Sequence, residues 1–299
     1  MLLQELRRLS IDIDIIVPKS VTIAEINEIL KNIVRTSSFT RYEEQERHLS
    51  QIPKAHFKLF YESPFDQSEV YVLLDVLFEE NPYSRLESID IICPFIDTTP
   101  PNVTVKVPSI ADILGDKLTA FAPNTTGILY DKEKEMEIIK QLFDIESLFD
   151  QLSTTNGVKD TFIRCAEQEL NYRQLTEMNY ENVLDDIFKT AIIIGGRGSF
   201  DKETFLKLEN GIRRIKSHII NRNYIVEEAV VSASKAAYLS MLLKYRQEDI
   251  EKYHPKETLP ELEGVPLFKK MAKIKNFSPE AYYYFAKAQE LIRRSEKTK

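Results

Sequence analysis

The chain has 299 residues and a mass of 34.8 kDa, enough for one large domain or two ordinary ones. Hydrophobic residues make up 43% and charged residues 29%, with 14 Tyr, 16 Phe and no Trp, and no apolar run nears the ~18 residues of a membrane span. The net charge of −7 is unevenly spread: residues 1–150 hold 15 Lys and Arg against 26 Asp and Glu, whereas residues 151–299 hold 25 against 21, so an acidic half suited to divalent metals precedes a basic half suited to polyanions.

Leu9 to Val17 alternates, is rich in Ile and reads as a strand, with Pro18 ending it. Thr22 to Val34 has helical spacing through Ile23, Ile26, Leu30 and Ile33. Ala55–Tyr61, Glu69–Phe78, Ser88–Cys93 and Val103–Val107 follow as β-rich runs, separated by Pro64, Pro82 and the Pro100-Pro101 pair. Two helices then follow, Ser109 to Phe121 with Ser109 as N-cap, and about Lys132 to Leu152. After the polar stretch Ser153-Thr154-Thr155-Asn156-Gly157 the character changes, and only helical stripes recur. These are Asp160–Leu170, Val183–Ile194, Phe205–Ile219, Val226–Tyr245 and Pro279–Arg294. The pattern predicts an α+β domain with a mixed sheet over residues 1–155, followed by an all-α helical bundle over residues 156–299.

Two cysteines, Cys93 and Cys165, exclude a disulfide scaffold and predict a reducing cytoplasm, with no charged-then-apolar leader at the start. His48, His56, His218 and His254 never approach each other at zinc-ligand spacing. Asp12-Ile13-Asp14 is the first chemically pointed feature. On a strand, Asp12 and Asp14 project to one side while Ile11, Ile13 and Ile15 face the other. Such a pair is either an exposed strand face or a place for a cation between mutually repelling carboxylates, such as Mg²⁺. Asp75 interrupts Val70–Phe78, a run apolar enough for a strand buried on both faces. It is either a strand-end carboxylate near solvent or a third metal ligand, since a charge inside such a strand is costly when unpaired. Lys117 lies within the apolar stripe Ile110, Ile113, Leu114, Leu118 and Phe121, where a lysine must snorkel out, pair with a carboxylate or meet a phosphate.

Together these segments resemble the AbiEii/AbiGii-type nucleotidyltransferase toxins, a branch of the DNA polymerase β-like nucleotidyltransferases. Arg8-Leu9-Ser10-Ile11-Asp12-Ile13-Asp14 is similar to their R-[FL]-S-x-D-[IL]-D motif, and Leu74-Asp75-Val76 to their third-carboxylate strand. Gly115-Asp116-Lys117-Leu118-Thr119-Ala120 resembles their lysine motif. Lys140-Gln141-Leu142-Phe143-Asp144-Ile145 resembles their K-D-x-x-D motif, with Gln141 in place of the first aspartate. The resemblance spans about residues 7–152. It implies that Asp12, Asp14 and Asp75 hold Mg²⁺ or Mn²⁺, that Ser10 and Lys117 contact the NTP, and that Asp144 orients Lys117.

The same resemblance implies the toxin half of a toxin–antitoxin or phage-defence pair, with a cognate antitoxin as partner, and transfer of NMP to an RNA or protein hydroxyl. The family also places a G-G-[ST] turn about a dozen residues before the R-x-S-x-D-x-D strand, where backbone N–H groups grip the triphosphate. No such turn stands there in this sequence, which predicts weak NTP binding and leaves open a degenerate fold that binds nucleotide, RNA or a partner without turnover. Gly195-Gly196-Arg197-Gly198-Ser199 reads instead as an interhelical turn, with a C-cap glycine and Ser199 as N-cap.

In the basic half, Arg213, Arg214, Lys216, His218 and Arg222 form one group and Lys269, Lys270, Lys273 and Lys275 a second. Arg293, Arg294, Lys297 and Lys299 form a third. They are either solvated helix faces or an RNA-backbone surface. Tyr282-Tyr283-Tyr284 either stacks bases or packs in the core.

Overall fold

A computed structural model describes residues 7–10, 12–45, 52–92, 97–130, 133–220, 222–256, 258–260 and 269–298. Ile11, Cys93, Lys132 and Lys299, on which sequence readings fall, lie outside the described residues. By contacts the chain divides into two compact units, Leu9–Pro82 and a larger one made of Met1–Arg8 with Tyr83–Lys299.

The smaller unit runs β1 (Asp12–Val17), α1 (Ile23–Thr36), β2 (Arg41–Glu44), β3 (Lys54–Glu62) and β4 (Glu69–Phe78). Its four strands form one mixed sheet in the order β1-β4-β3-β2, with β1 parallel to β4 and the other neighbours antiparallel. Helix α1 starts where Thr22 and Glu25 close a capping box: Glu25 N–H donates to Thr22 Oγ1 and Thr22 N–H to Glu25 Oε2. Ile26 and Leu30, one turn apart, pack with Ala55, Phe57, Leu59 and Val76. One face of the sheet is therefore the core face, and the residues between these must line the opposite face.

Strand β4 is only partly covered, Val76 alone being fully buried, so the expectation of a strand buried on both faces is not met. The apolar run reflects its interior place between β1 and β3 rather than cover on both sides. Strand β2 has no hydrophobic signal because it closes the far edge with Arg41, Tyr42, Glu43 and Glu44.

The larger unit opens with an antiparallel pair, β5 (Leu86–Asp90) and β6 (Thr104–Pro108). Among the described residues, seven long helices follow: α2 (Ile110–Ala120), α3 (Glu135–Phe149), α4 (Val158–Tyr172), α5 (Tyr180–Gly195), α6 (Lys202–Ile215), α7 (Val226–Lys244) and α8 (Pro279–Thr298). Ser109 caps α2 as expected, accepting from Asp112 N–H. Asp201, not Ser199, caps α6 through Thr204 N–H. The left-handed residues of the preceding turn are Arg197 and Gly198, while the C-cap Gly196 is right-handed.

Leu114 and Leu118 of α2, its C-cap Phe121, and Ile138, Leu142 and Ile145 of α3 share one core with α4, α5, α6, α7 and α8. The boundary expected at residues 155/156 therefore falls inside a compact unit, and the contact division lies at 82/83. Composition changes at 155 because the strands end, but the first two helices bury their stripes against the later ones. Tyr282, Tyr283 and Tyr284 are all buried, with Tyr284 in ring contact with Phe149 and Tyr238 and Tyr283 with Tyr253, so they are core rather than a stacking platform. Among the described residues, no helix is long and apolar enough to cross a membrane.

Candidate active site

Register sets the carboxylates of the smaller unit. Asp12 lies opposite Leu73 and Asp14 opposite Asp75 across the parallel β1–β4 pair, and His56 lies opposite Asp75 across β3–β4. Opposed residues share a face, so Asp12, Asp14, Asp75 and His56 line the side of the sheet away from Phe57 and Val76. Ser10 is exposed just ahead of β1.

Asp75 is 32% exposed, and its Oδ1 lies 2.7 Å from His56 Nδ1. A carboxylate can only accept, so the ring N–H donates. His56 carries no periodic signal in the sequence, and only strand register reveals it. Three carboxylates on two neighbouring strands, about 4.8 Å apart, suit a hard divalent cation. Among the described residues, however, no three His, Cys, Asp or Glu side chains are gathered closely enough to hold one. The donor chemistry and backbone placement suit the metal, while the side chains do not close around a centre.

The larger unit holds a second group. Arg8 grips Asp144 with both ends of its guanidinium, Nε to Oδ1 at 2.7 Å and Nη2 to Oδ2 at 2.6 Å. Lys117 Nζ lies 3.7 Å from the same carboxylate, with the lysine side chain 29% exposed and Asp144 13%. Of the three fates open to a lysine in that stripe, the structure gives it a carboxylate partner. Arg8 itself is placed by a backbone bridge to Ile219, beside Arg7 O accepting from Ile220 N–H. The sequence motif contains Arg8 but does not reveal its partner 136 residues away.

One turn before Asp144 on α3, Gln141 buries its Oε1 without a hydrogen-bond partner. Gly115, two residues before Lys117, has a packing role: a Cβ there would lie 2.6 Å from Val158 O and 2.9 Å from Phe162 N of α4. Buried Asp112 ties the start of α2 to its neighbours by accepting from Ser84 and Arg85 N–H and from the Ser109 and Thr161 hydroxyls. Burial pushes its pKa up, but these donors hold it below the ordinary aspartate value.

The first basic group divides. Arg213, Arg214 and Lys216 are exposed on and after α6, but Arg222 is engaged by Glu146 and Glu228 and adds nothing to an open cationic surface. Lys270 donates to Ser199 O at 3.1 Å.

The smaller unit thus carries an acidic sheet face and the larger unit a group of Lys117, Asp144 and Arg8. The family model for the nucleotidyl transferase AbiEii toxin of type IV toxin–antitoxin systems matches residues 1–249, and the chain belongs to that family. The match runs well past the last motif at Asp144 and takes in α4 to α7. No curated protein and no solved structure matches the chain.

Proposed function

We propose that this chain is a cytoplasmic, metal-dependent nucleotidyltransferase that transfers NMP from an NTP to an RNA or protein hydroxyl, opposed by a cognate antitoxin. The observation that carries this reading is the register that sets Asp14 directly beside Asp75 on the face that also holds Asp12. Asp12, Asp14 and Asp75 would hold Mg²⁺ or Mn²⁺, which supplies charge neutralisation for the triphosphate.

The chain's own residues bind and orient. Lys117 offers an ammonium to phosphate oxygens, and Asp144 restrains that lysine while Arg8 restrains Asp144. Ser10 offers a hydroxyl to the nucleotide. The acceptor oxygen bonds to the α-phosphorus as the bond to pyrophosphate breaks, and Asp75 positions the attacking hydroxyl and accepts its proton. Catalysis of this kind consists mainly of positioning and electrostatics. For an RNA acceptor, Arg213, Arg214 and Lys216 are the cations open to its backbone.

The test is labelling of total RNA or protein by α-labelled NTPs with Mg²⁺ or Mn²⁺, alongside metal-dependent melting. With NTP supplied at high concentration, to match the weak binding expected of this chain, the wild type should label an acceptor slowly, and it should melt higher with Mn²⁺. Asp12→Asn with Asp14→Asn should remove both effects. Labelling that survives the double substitution, or a wild-type chain that labels nothing, overturns the reading.

A further inference from the structure

We infer that a cleft between α6 and the start of α7 binds a nucleoside monophosphate whose base carries an amino group. The cleft has a volume of about 430 Å³ and lies wholly within the larger unit, so this site does not depend on the metal reading above. Buried Phe205 and Ile212 of α6 form an apolar floor, with half-buried Ile225 and Val226 beside them.

The charged lining divides in two. Arg197 and Glu227 occupy each other at 3.5 Å, and Arg197 also lies over the Phe277 ring. Glu209, Arg213 and Lys216 follow one another turn by turn along α6 and just past its end. Among the described residues, none of these three side chains has an ion-pair or hydrogen-bond partner. Arg213 and Lys216 are exposed at the mouth, and Glu209 is half-buried.

These parts match the parts of a nucleotide. The flat base suits the apolar floor, and the phosphate suits two cations that lack partners. The base's amino group can donate to Glu209, whose carboxylate only accepts. Uracil puts a carbonyl oxygen where cytosine has its amino group, and two acceptors repel. A bare anion leaves the floor and the carboxylate unused, and an apolar ligand leaves the cations unused. A free nucleotide and an unstacked nucleotide of an RNA strand offer the same chemistry.

The experiment is isothermal titration calorimetry of the full-length chain in EDTA with CMP, UMP and a short oligocytidylate. CMP should bind about 10–100-fold more tightly than UMP, the scale of one hydrogen bond to a charged group. Glu209→Gln should abolish that preference, because its amide can also donate to the uracil carbonyl. Arg213→Ala with Lys216→Ala should weaken CMP and UMP alike and keep their ratio. Oligocytidylate that binds more tightly than CMP assigns the site to RNA, and oligocytidylate that binds no more tightly assigns it to free nucleotide.

A wild-type chain that binds neither CMP nor oligocytidylate overturns the inference, as do equal affinities for CMP and UMP or a preference that survives Glu209→Gln. CMP binding lost in Lys117→Ala but kept in the cleft variants also overturns it, placing the nucleotide elsewhere. The transferase reading is judged separately, by labelling that needs the metal EDTA withholds.

Discussion

Glu146 lies on α3 with its carboxylate buried, where it accepts from Arg222 and from Ser232 Oγ at 2.6 Å, with Lys235 Nζ 3.7 Å away. Burial pushes its pKa up, but Arg222, Lys235 and Ser232 outweigh that and hold it below the ordinary glutamate value of 4.5. A carboxylate depressed in the folded state contributes stability above that ordinary value and loses it as pH falls through the folded one. Wild-type stability should therefore fall with acid below about pH 4.5, and Glu146→Gln should be less stable at neutral pH with a shallower acid slope. Urea midpoints between pH 3 and 7 read this directly; parallel curves for the two proteins would contradict it. His56 and Glu146 show the same limit on local reading: each acts through partners on other elements, and neither is marked by periodicity.

At the scale of elements, Gly115 makes a sharp case. The backbone of α4 occupies the space a side chain would need, and no flexible side chain is there to yield. Gly115→Ala should force α2 and α4 apart and cost about 1–3 kcal/mol or more, the usual range for overpacking. Denaturant unfolding checks this, and an unchanged midpoint would mean that the helices separate freely. Elements whose cause is local were legible: α1 from Thr22 and its stripe, α2 from Ser109, β1 and β4 from Ile and Val runs. Strand β2 leaves no signal because its four residues are mostly polar, and Ser199 resembles a cap although Asp201, two residues on, is the one that caps α6. Asp12, Asp14 and Asp75 stood out as residue types, but only pairing shows that two of them are neighbours.

For the whole molecule, the family match ends at residue 249 while the core of the larger unit continues beyond it. Helix α8 buries Tyr282, Tyr283, Tyr284 and Phe285, and Glu280 reaches back to Lys235 on α7 at 2.9 Å. Removing four buried aromatic residues forfeits about 6–12 kcal/mol of burial, as much as a typical domain's whole stability. A chain ended at residue 249 should be insoluble or lack a cooperative melt, by scanning calorimetry and size exclusion. A soluble truncated chain melting within a few degrees of wild type would show that α8 is dispensable. Composition could not foresee this continuity, because an acidic stretch and a basic one share a core when their apolar faces match.

The place of β1 at the edge of its sheet has a consequence for solubility. With β4 as its one sheet neighbour among the described residues, β1 is one of the two edge strands, β2 being the other, and its Ile13 is 51% exposed. Charges on an edge strand discourage intermolecular pairing, and Asp12 and Asp14 are the charges on this one. Exchanging both for Asn removes that guard along with the proposed ligands. A quiet phenotype in cells would then report aggregation as readily as lost chemistry. Asp75→Asn, on an interior strand, keeps the guard and separates the two.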